Sequence, residues 1–362
     1  MSRLVVVAIP VRDEANRIGG CLRALVRQSI PPDYVVLLLN NCTDSTAEVV
    51  RAMPEARHRL HLVECVLEGP SASAGVARGL AMQHAASLIE DGVILTTDAD
   101  AEVPADWVEA NLQALRQGAD AVCGRAVIDP IEALLIPQHL HQDDAREVAY
   151  GRLLDEMEST ILPDPVDPWP RHREDSGASI AITAAMFRRV GGVPPLPSGE
   201  DRALIRTMRM MDARVRHHPA ISVVVSGRIE GRAQGGMADA IRRRIVQQDE
   251  FVDESLEPAR MAFLRMRMKR RFKLLWEQPA KIGLRQLAER LAIDRSVVED
   301  AVEAPYFGLA WSRVEQSSPI LLPTRVRFVD LPREMKIAQG ILRRLSSDPH
   351  TGEWYPAELT AA

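Results

Sequence analysis

Between residues 4 and 117 the chain alternates four times between a short apolar run and a stretch of helically spaced apolar residues. Few folds accept that order. Residues 4–9 are a continuous, mostly β-branched run of the kind buried on both faces of a parallel sheet. From residue 14 to residue 28, Ala15, Ile18, Cys21, Leu22, Leu25 and Val26 recur at helical spacing, until Pro31-Pro32 stops the helix. A second strand is expected over 34–39. A third is expected over 60–66, a helix over 73–90 and a fourth strand over 93–97. Ser45 and Glu48 have capping-box spacing for a helix reaching Met53, and Pro104 suits the start of another. This order predicts an α/β, doubly wound, mostly parallel, Rossmann-like sheet with helices on both faces.

The fourth strand ends in Asp98-Ala99-Asp100, with Glu102 beyond. In extended chain, residues two apart point to the same side, so both carboxylates leave the carboxyl end of a strand together. That edge is where open α/β sheets bind ligands. Paired carboxylates can hold a hard divalent cation, and the cation a diphosphate. The plain alternative is an acidic loop capping the next helix.

A fifth strand is expected over 120–128. Residues 129–176 then show a helix-like part (144–160) and a proline- and aspartate-rich run (162–170) without a strand pattern, which suggests a functional lid or binding loop. A helix ends near Gly191-Gly192, and Gly199-Glu200-Asp201 opens another, reaching about residue 211. A last strand is expected over 221–225, with the loop 226–236 after it. The remainder reads as mainly helical.

The net charge of −5 offers no bulk attraction for nucleic acid. The four cysteines, Cys21, Cys42, Cys65 and Cys123, are scattered without Cys-x-x-Cys, as in a reduced compartment. No apolar run approaches the roughly 20 residues needed to span a bilayer. The first residues carry no secretory pattern, and the expected location is the cytoplasm.

Several short stretches, in this order, resemble family-2-type glycosyltransferases of the GT-A fold. They are Ile9-Pro10-Val11-Arg12-Asp13-Glu14, Asn40-Asn41-Cys42-Thr43-Asp44-Ser45-Thr46, Ala77-Arg78-Gly79, Asp98-Ala99-Asp100, and Gly191-Gly192 with Gly199-Glu200-Asp201. Each is weak alone, but together they span about two-thirds of the chain. The resemblance implies a GT-A domain over 1–236, with a nucleotide-sugar half at 1–128 and an acceptor half at 129–236. Residues 237–362 form a helical C-terminal extension.

It also implies roles. Pro10, Arg12 and Glu14 line the nucleoside pocket, although Glu14 also suits the first turn of a helix. Asn40 and Asp44 stand in the base-gripping turn, where Leu39-Asn40 replaces the aspartate pair of many relatives and loosens any link to uracil. Asn40-Asn41 also suits a left-handed turn. Arg78 lies among the small residues Ala74, Gly75, Ala77 and Gly79, where a ligand or backbone can approach closely, and its guanidinium can grip a phosphate. Asp100 is the more direct ligand of Mg²⁺ or Mn²⁺, Asp98 contacts ribose or metal, and His218 is a further candidate ligand. Asp201 is the general base and Glu200 its neighbour, although helix starts favour acids anyway. Arg228, in a loop with four glycines and two arginines, can close over a diphosphate or sit in a plain linker.

The expected activity is metal-dependent, inverting transfer of a sugar from a nucleotide-diphosphate donor to a small or soluble acceptor. Arg243-Arg244-Ile245-Val246-Gln247-Gln248 stands where processive synthases carry Gln-x-x-Arg-Trp. A sugar-nucleotide nucleotidyltransferase is the rival enzyme, although residues 9–14 lack its Gly-rich loop. A non-catalytic nucleotide-sugar-binding or DNA-binding regulator is the rival outside enzymes. Residues 287–298 have a helix-turn-helix cadence, but their mixed charge favours a hairpin that covers the acceptor site or makes a homodimer. The basic, Met-rich stretch 260–273 reads as a packing helix before a membrane-surface one, so neither nucleic-acid binding nor stable membrane insertion is expected.

Overall fold

The computed structural model describes residues 4–53, 59–231, 235–247, 249–278 and 283–347. The strands are β1 (Leu4–Val11), β2 (Tyr34–Asn40), β3 (Leu60–Cys65), β4 (Gly92–Thr96), β5 (Ala121–Ile128), β6 (Ile180–Thr183) and β7 (Val215–Val225). They form one seven-stranded sheet in the order β3-β2-β1-β4-β6-β5-β7. All pairs are parallel except those of β6, which runs antiparallel between β4 and β5. The sheet is therefore mostly parallel, as expected, and reverses only at the short β6.

Helices α1 (Ile18–Val26), α2 (Thr46–Arg51), α3 (Ala74–Ser87) and α4 (Trp107–Arg116) alternate with the first strands. The first helix is shorter than the apolar spacing suggests, because residues 14–17 turn before it, with Arg17 N–H bonded to the Glu14 carbonyl. Helix α3 lays Ala77, Ala81, Met82 and Ala85 against Val6, Ala8, Val36 and Leu38 of the sheet, every one of them buried. Its small residues permit close approach. A Cβ on Gly75 would lie 2.1 Å from the carbonyl oxygen of Leu196. Backbone, rather than ligand, explains the glycine there.

Helices α5 (Pro130–Ala133) and α6 (Gln138–Ile161) precede β6, and α7 (Ala184–Arg189) and α8 (Glu200–Met210) follow it. After β7 come α9 (Met237–Val246), α10 (Ala259–Glu277), α11 (Leu284–Leu291), α12 (Arg295–Val302), α13 (Phe307–Ser317) and α14 (Leu331–Ser347).

The chain divides into two units, one of residues 1–137, 174–208 and 213–247, the other of residues 138–173, 209–212 and 248–362. This differs from the boundaries expected at 128 and 236. Residues 138–173, part of the stretch 129–176 expected in the acceptor half as a lid or binding loop, lie in the second unit. The cause is the spacing of Tyr150, Leu154, Met157 and Ile161 along α6, which puts them on one helical face in a core shared with Val252, Leu256, Ala262, Phe263, Val326, Ala338 and Ile341.

The basic stretch in α10 is a packing helix. Ala262, Phe263, Met266, Phe272 and Leu275 are buried, and Arg265 is paired with Glu257 and Glu315. The helix-turn-helix cadence corresponds to α11 and α12, whose Leu287, Leu291, Val298 and Ala301 share a core with Phe272 and Trp311. Among the described residues no helix is long and apolar enough to cross a membrane. Residues 348–362 of the expected extension lie outside the described residues.

Candidate active site

The turns after β1, β2 and β4 lie at the carboxyl edge of the parallel strands, and two of their acidic residues, Asp13 and Asp44, brace the turns themselves. Asp13, at a left-handed φ of 51°, accepts bonds through Oδ1 from the backbone N–H of Thr43 (2.6 Å) and Asp44 (3.2 Å). Asp44 accepts from Ala15 N–H through Oδ2 and from Thr46 N–H through Oδ1, while the Thr46 hydroxyl accepts from Glu14 N–H. The first and second turns are thus laced together, and Asp44 belongs to that lacing. Asn40 is buried at the end of β2. Asn41 adopts a φ of 52° and clasps Leu67 through both its amide nitrogen and its oxygen, so the turn reading holds for it. Pro10 is half-buried and Arg12 exposed.

Arg78 is the centre of the arrangement. It is buried on α3, and its guanidinium donates to Glu200 Oε1 (2.9 Å), Asp98 Oδ1 (2.6 Å), the Thr96 hydroxyl (3.0 Å) and the Gly177 carbonyl (2.9 Å). Burial opposes its charge, but Asp98 and Glu200 outweigh burial and raise its pKa. Four of its five N–H groups are therefore spent on the protein, and a two-pronged grip on a phosphate is not available in this arrangement. A Cβ on Gly177 would lie 2.5 Å from the Arg78 Cζ, which is why a glycine stands there.

Glu200 and Asp201 open α8 with different surroundings. Glu200 is buried and salt-bridged to Arg78. Asp201 is only half-buried, and its oxygens accept from Gly177 N–H (2.8 Å) and Arg202 N–H (2.7 Å). Arg78 thus joins the Asp98 end of β4 to the Glu200 start of α8, with Gly177 bonded to both Arg78 and Asp201.

On the other side of the Asp98–Asp100 pair stands Arg228. Its two terminal nitrogens reach Glu14 Oε2 (2.8 Å) and Oε1 (2.6 Å), and one also lies 3.1 Å from Asp100 Oδ2. The loop is held by Glu132, which accepts from Ser226 Oγ (2.9 Å), Gly227 N–H (2.6 Å) and Arg17 (2.7 Å). Arg232, the loop's second arginine, lies outside the described residues. Burial and the nearby Asp98 push the Asp100 carboxyl up to about 6, even with Arg228 pulling it down. The pair therefore keeps surplus negative charge, and its donors are all oxygen. A hard divalent cation fits that set.

His218 is not part of this cluster. It lies within β7, where the register with β5 shifts between Cys123 and Arg125, and its Nδ1 accepts from Ala220 N–H (3.4 Å). The apolar pattern alone starts this strand at 221, whereas β7 begins at Val215. The shift absorbs Pro219, and His217 and His218 belong to the strand. Sequence reasoning also passed over Asp13, Thr96, Glu132 and Gly177, which act through long-range bonds that no local spacing announces.

Residues 6–169 match the family model described as glycosyl transferase family 2. That segment is of the glycosyl transferase family 2 type. No curated protein matches it. Among solved structures, the chain is similar to S. aureus TarS in complex with UDP, at 16% identity over 97% of this chain and 93% of that one, with a TM-score of 0.44. It is similar to the mannosyltransferase PcManGT from Pyrobaculum calidifontis in complex with GDP-Man and Mn²⁺, at 21% identity over 87% and 86%, with a TM-score of 0.47. It is also similar to glucosyl-3-phosphoglycerate synthase from Mycobacterium tuberculosis in complex with Mn²⁺, UDP and phosphoglyceric acid, at 12% identity over 69% and 81%, with a TM-score of 0.42.

Proposed function

We propose that the chain is a glycosyltransferase that moves a sugar from a nucleoside-diphosphate donor to an acceptor hydroxyl with inversion, Asp201 serving as general base. The observation that carries the reading is the Arg78 bridge. It ties Asp98 of the Asp-Ala-Asp turn to Glu200, the residue beside Asp201, with one buried guanidinium. The donor then lies along the turns after β1, β2 and β4, with the base over Pro10 and Asn40 and the diphosphate toward Asp98, Asp100 and Arg228. Asp98 and Asp100 would hold Mg²⁺ or Mn²⁺, which when bound neutralises charge developing on the departing diphosphate.

Asp201 accepts the acceptor's hydroxyl proton as its oxygen bonds to the anomeric carbon and the bond from that carbon to the diphosphate breaks. The Gly177 and Arg202 N–H groups orient the carboxylate, and partial exposure leaves it open to an acceptor. Glu200, buried on Arg78, supports that geometry and exchanges no proton.

The test pairs binding with turnover. Asp201→Asn should keep nucleoside-diphosphate binding, read as a thermal shift, and lose sugar transfer or nucleotide-sugar hydrolysis by about 100-fold or more. Unchanged turnover in that variant would remove Asp201 from the role. No binding of any nucleoside diphosphate by the unaltered chain would remove the donor site.

A further inference from the structure

A separate group of donors lies where β5 and β7 run in parallel register. Cys123 is paired across the strands with His217, and both are buried. Asp175 comes to them from the segment before β6, its Oδ1 lying 3.0 Å from His217 Nε2. One ligating atom from each of Cys123, Asp175 and His217 lies within 4.8 Å of the other two, and among the described residues this is the one such group of three. We propose that these three side chains form a second cation site, for an ion of the zinc class, distinct from the Asp98–Asp100 pair.

Three features support it. A thiolate, a carboxylate and a neutral imidazole carry two negative charges, which one divalent ion balances inside the fold. The separations suit it as well. Ligands at about 2.0–2.3 Å from a tetrahedral zinc lie roughly 3.3–3.7 Å from one another, so the His217–Asp175 contact opens by only a few tenths of an ångström. The donors are also selective. Sulfur and imidazole favour zinc or cobalt, whereas the all-oxygen pair at the end of β4 favours magnesium or manganese. Asp175 keeps 11% of its side chain exposed, which gives the ion an approach and leaves a position for water.

Binding releases the Cys123 thiol proton as the sulfur–metal bond forms, and places the His217 proton on Nδ1. Asp175 stands two residues from Gly177, whose N–H holds Asp201 and whose carbonyl takes a bond from Arg78. The ion would therefore pin the segment that orients Asp201.

The proposal is independent of glycosyl transfer and is tested with Co²⁺ on chelator-treated full-length protein. A thiolate-to-cobalt charge-transfer band is expected in the unaltered chain and in Asp100→Asn, and is absent in Cys123→Ser. Asp175→Asn and His217→Gln should each weaken cobalt binding by about tenfold or more. If Cys123→Ser loses its cooperative unfolding transition, those two variants carry the test. No band at saturating Co²⁺, a band lost in Cys42→Ser or Cys65→Ser but kept in Cys123→Ser, or wild-type affinity in both Asp175→Asn and His217→Gln overturns the assignment.

Discussion

Replacing Arg78 by Met tests whether this residue is the keystone of the fold's edge or a ligand-binding arginine. The Arg78 and Glu200 side chains are each 8% exposed, whereas that of Asp98 is 35% exposed. Removing the guanidinium leaves Glu200 charged in a dry position and strips donors from Thr96 and Gly177. Asp98 contributes less, because water screens it. Breaking a buried pair from one side costs about 3–5 kcal/mol, most of it the uncompensated charge. For a folding unit of this size each kcal/mol is worth about 2–4 °C, so the melting temperature of Arg78→Met should fall by roughly 6–20 °C. Glu200→Met should be destabilising as well. The double variant should recover about 2–3 kcal/mol relative to the sum, because no buried charge remains. Urea unfolding of the four proteins at neutral pH measures the cycle. A loss under about 1 kcal/mol in Arg78→Met, or strict additivity in the double variant, refutes the reasoning. A large loss of nucleotide affinity without loss of stability would make Arg78 a phosphate ligand after all.

Three further outcomes follow from the same charges. In Asp100→Asn a half-buried carboxylate disappears whose folded pKa is raised to about 6 from the ordinary 3.8. A raised acid costs stability as pH climbs between those values, so the variant should melt higher than the parent above pH 6 without metal and lose that advantage in strongly acidic buffer. Arg228 and a divalent cation compete for Asp100, so the rise in melting temperature with Mn²⁺ should be larger in Arg228→Met than in the unaltered chain. An equal rise would mean that they do not share the carboxylate. Glu132 is partly desolvated, but bonds from Arg17, Ser226 and Gly227 hold its carboxyl below the usual 4.5. That stabilisation is present above pH 4.5 and is lost as pH falls further, so Glu132→Gln should flatten the acid limb of the stability profile, and an unchanged acid limb would dismiss the clasp.

What could be read ahead of the structure follows from the range of the interactions. The strands β1, β2 and β4 are short apolar runs whose burial is written in their own residues, and they appear where the pattern puts them. The Asp98-Ala99-Asp100 and Glu200-Asp201 stretches are equally local and stand at a strand end and a helix start. Arg78 was legible as an unusual arginine among small residues but not as a buried bridge, because its partners lie 20 and 122 positions away. The same reason hid the packing partners of α6, whose helical pattern over 144–160 was legible. Its polar outer face and the aspartates after it look like a surface insertion until residues beyond 250 arrive to cover Tyr150 and Leu154. That His217 stands opposite Cys123 was equally illegible, because the pairing depends on the register of β5 with β7.

The balance of charge around the Asp98–Asp100 pair leads to the last prediction. Glu14, Asp98, Asp100, Glu200 and Asp201 carry five negative charges when ionised, against two positive charges on Arg78 and Arg228, which leaves three negative. A diphosphate entering alone meets net repulsion in a partly desolvated site, where interactions are stronger than in water. A bound divalent cation would cancel two of those negative charges, and beside the burial that chiefly raises the Asp100 carboxyl it would offset the repulsion from Asp98. Nucleoside diphosphates should therefore raise the melting temperature only when Mg²⁺ or Mn²⁺ is present, and raising salt without a divalent ion should restore only a small part of the shift. Chelator-treated protein titrated with nucleoside diphosphate, with and without Mn²⁺, measures this. An undiminished shift without metal would mean that Arg228 leaves Glu14 and Asp100 to meet the diphosphate, and that the guanidinium rather than a metal supplies the positive charge there.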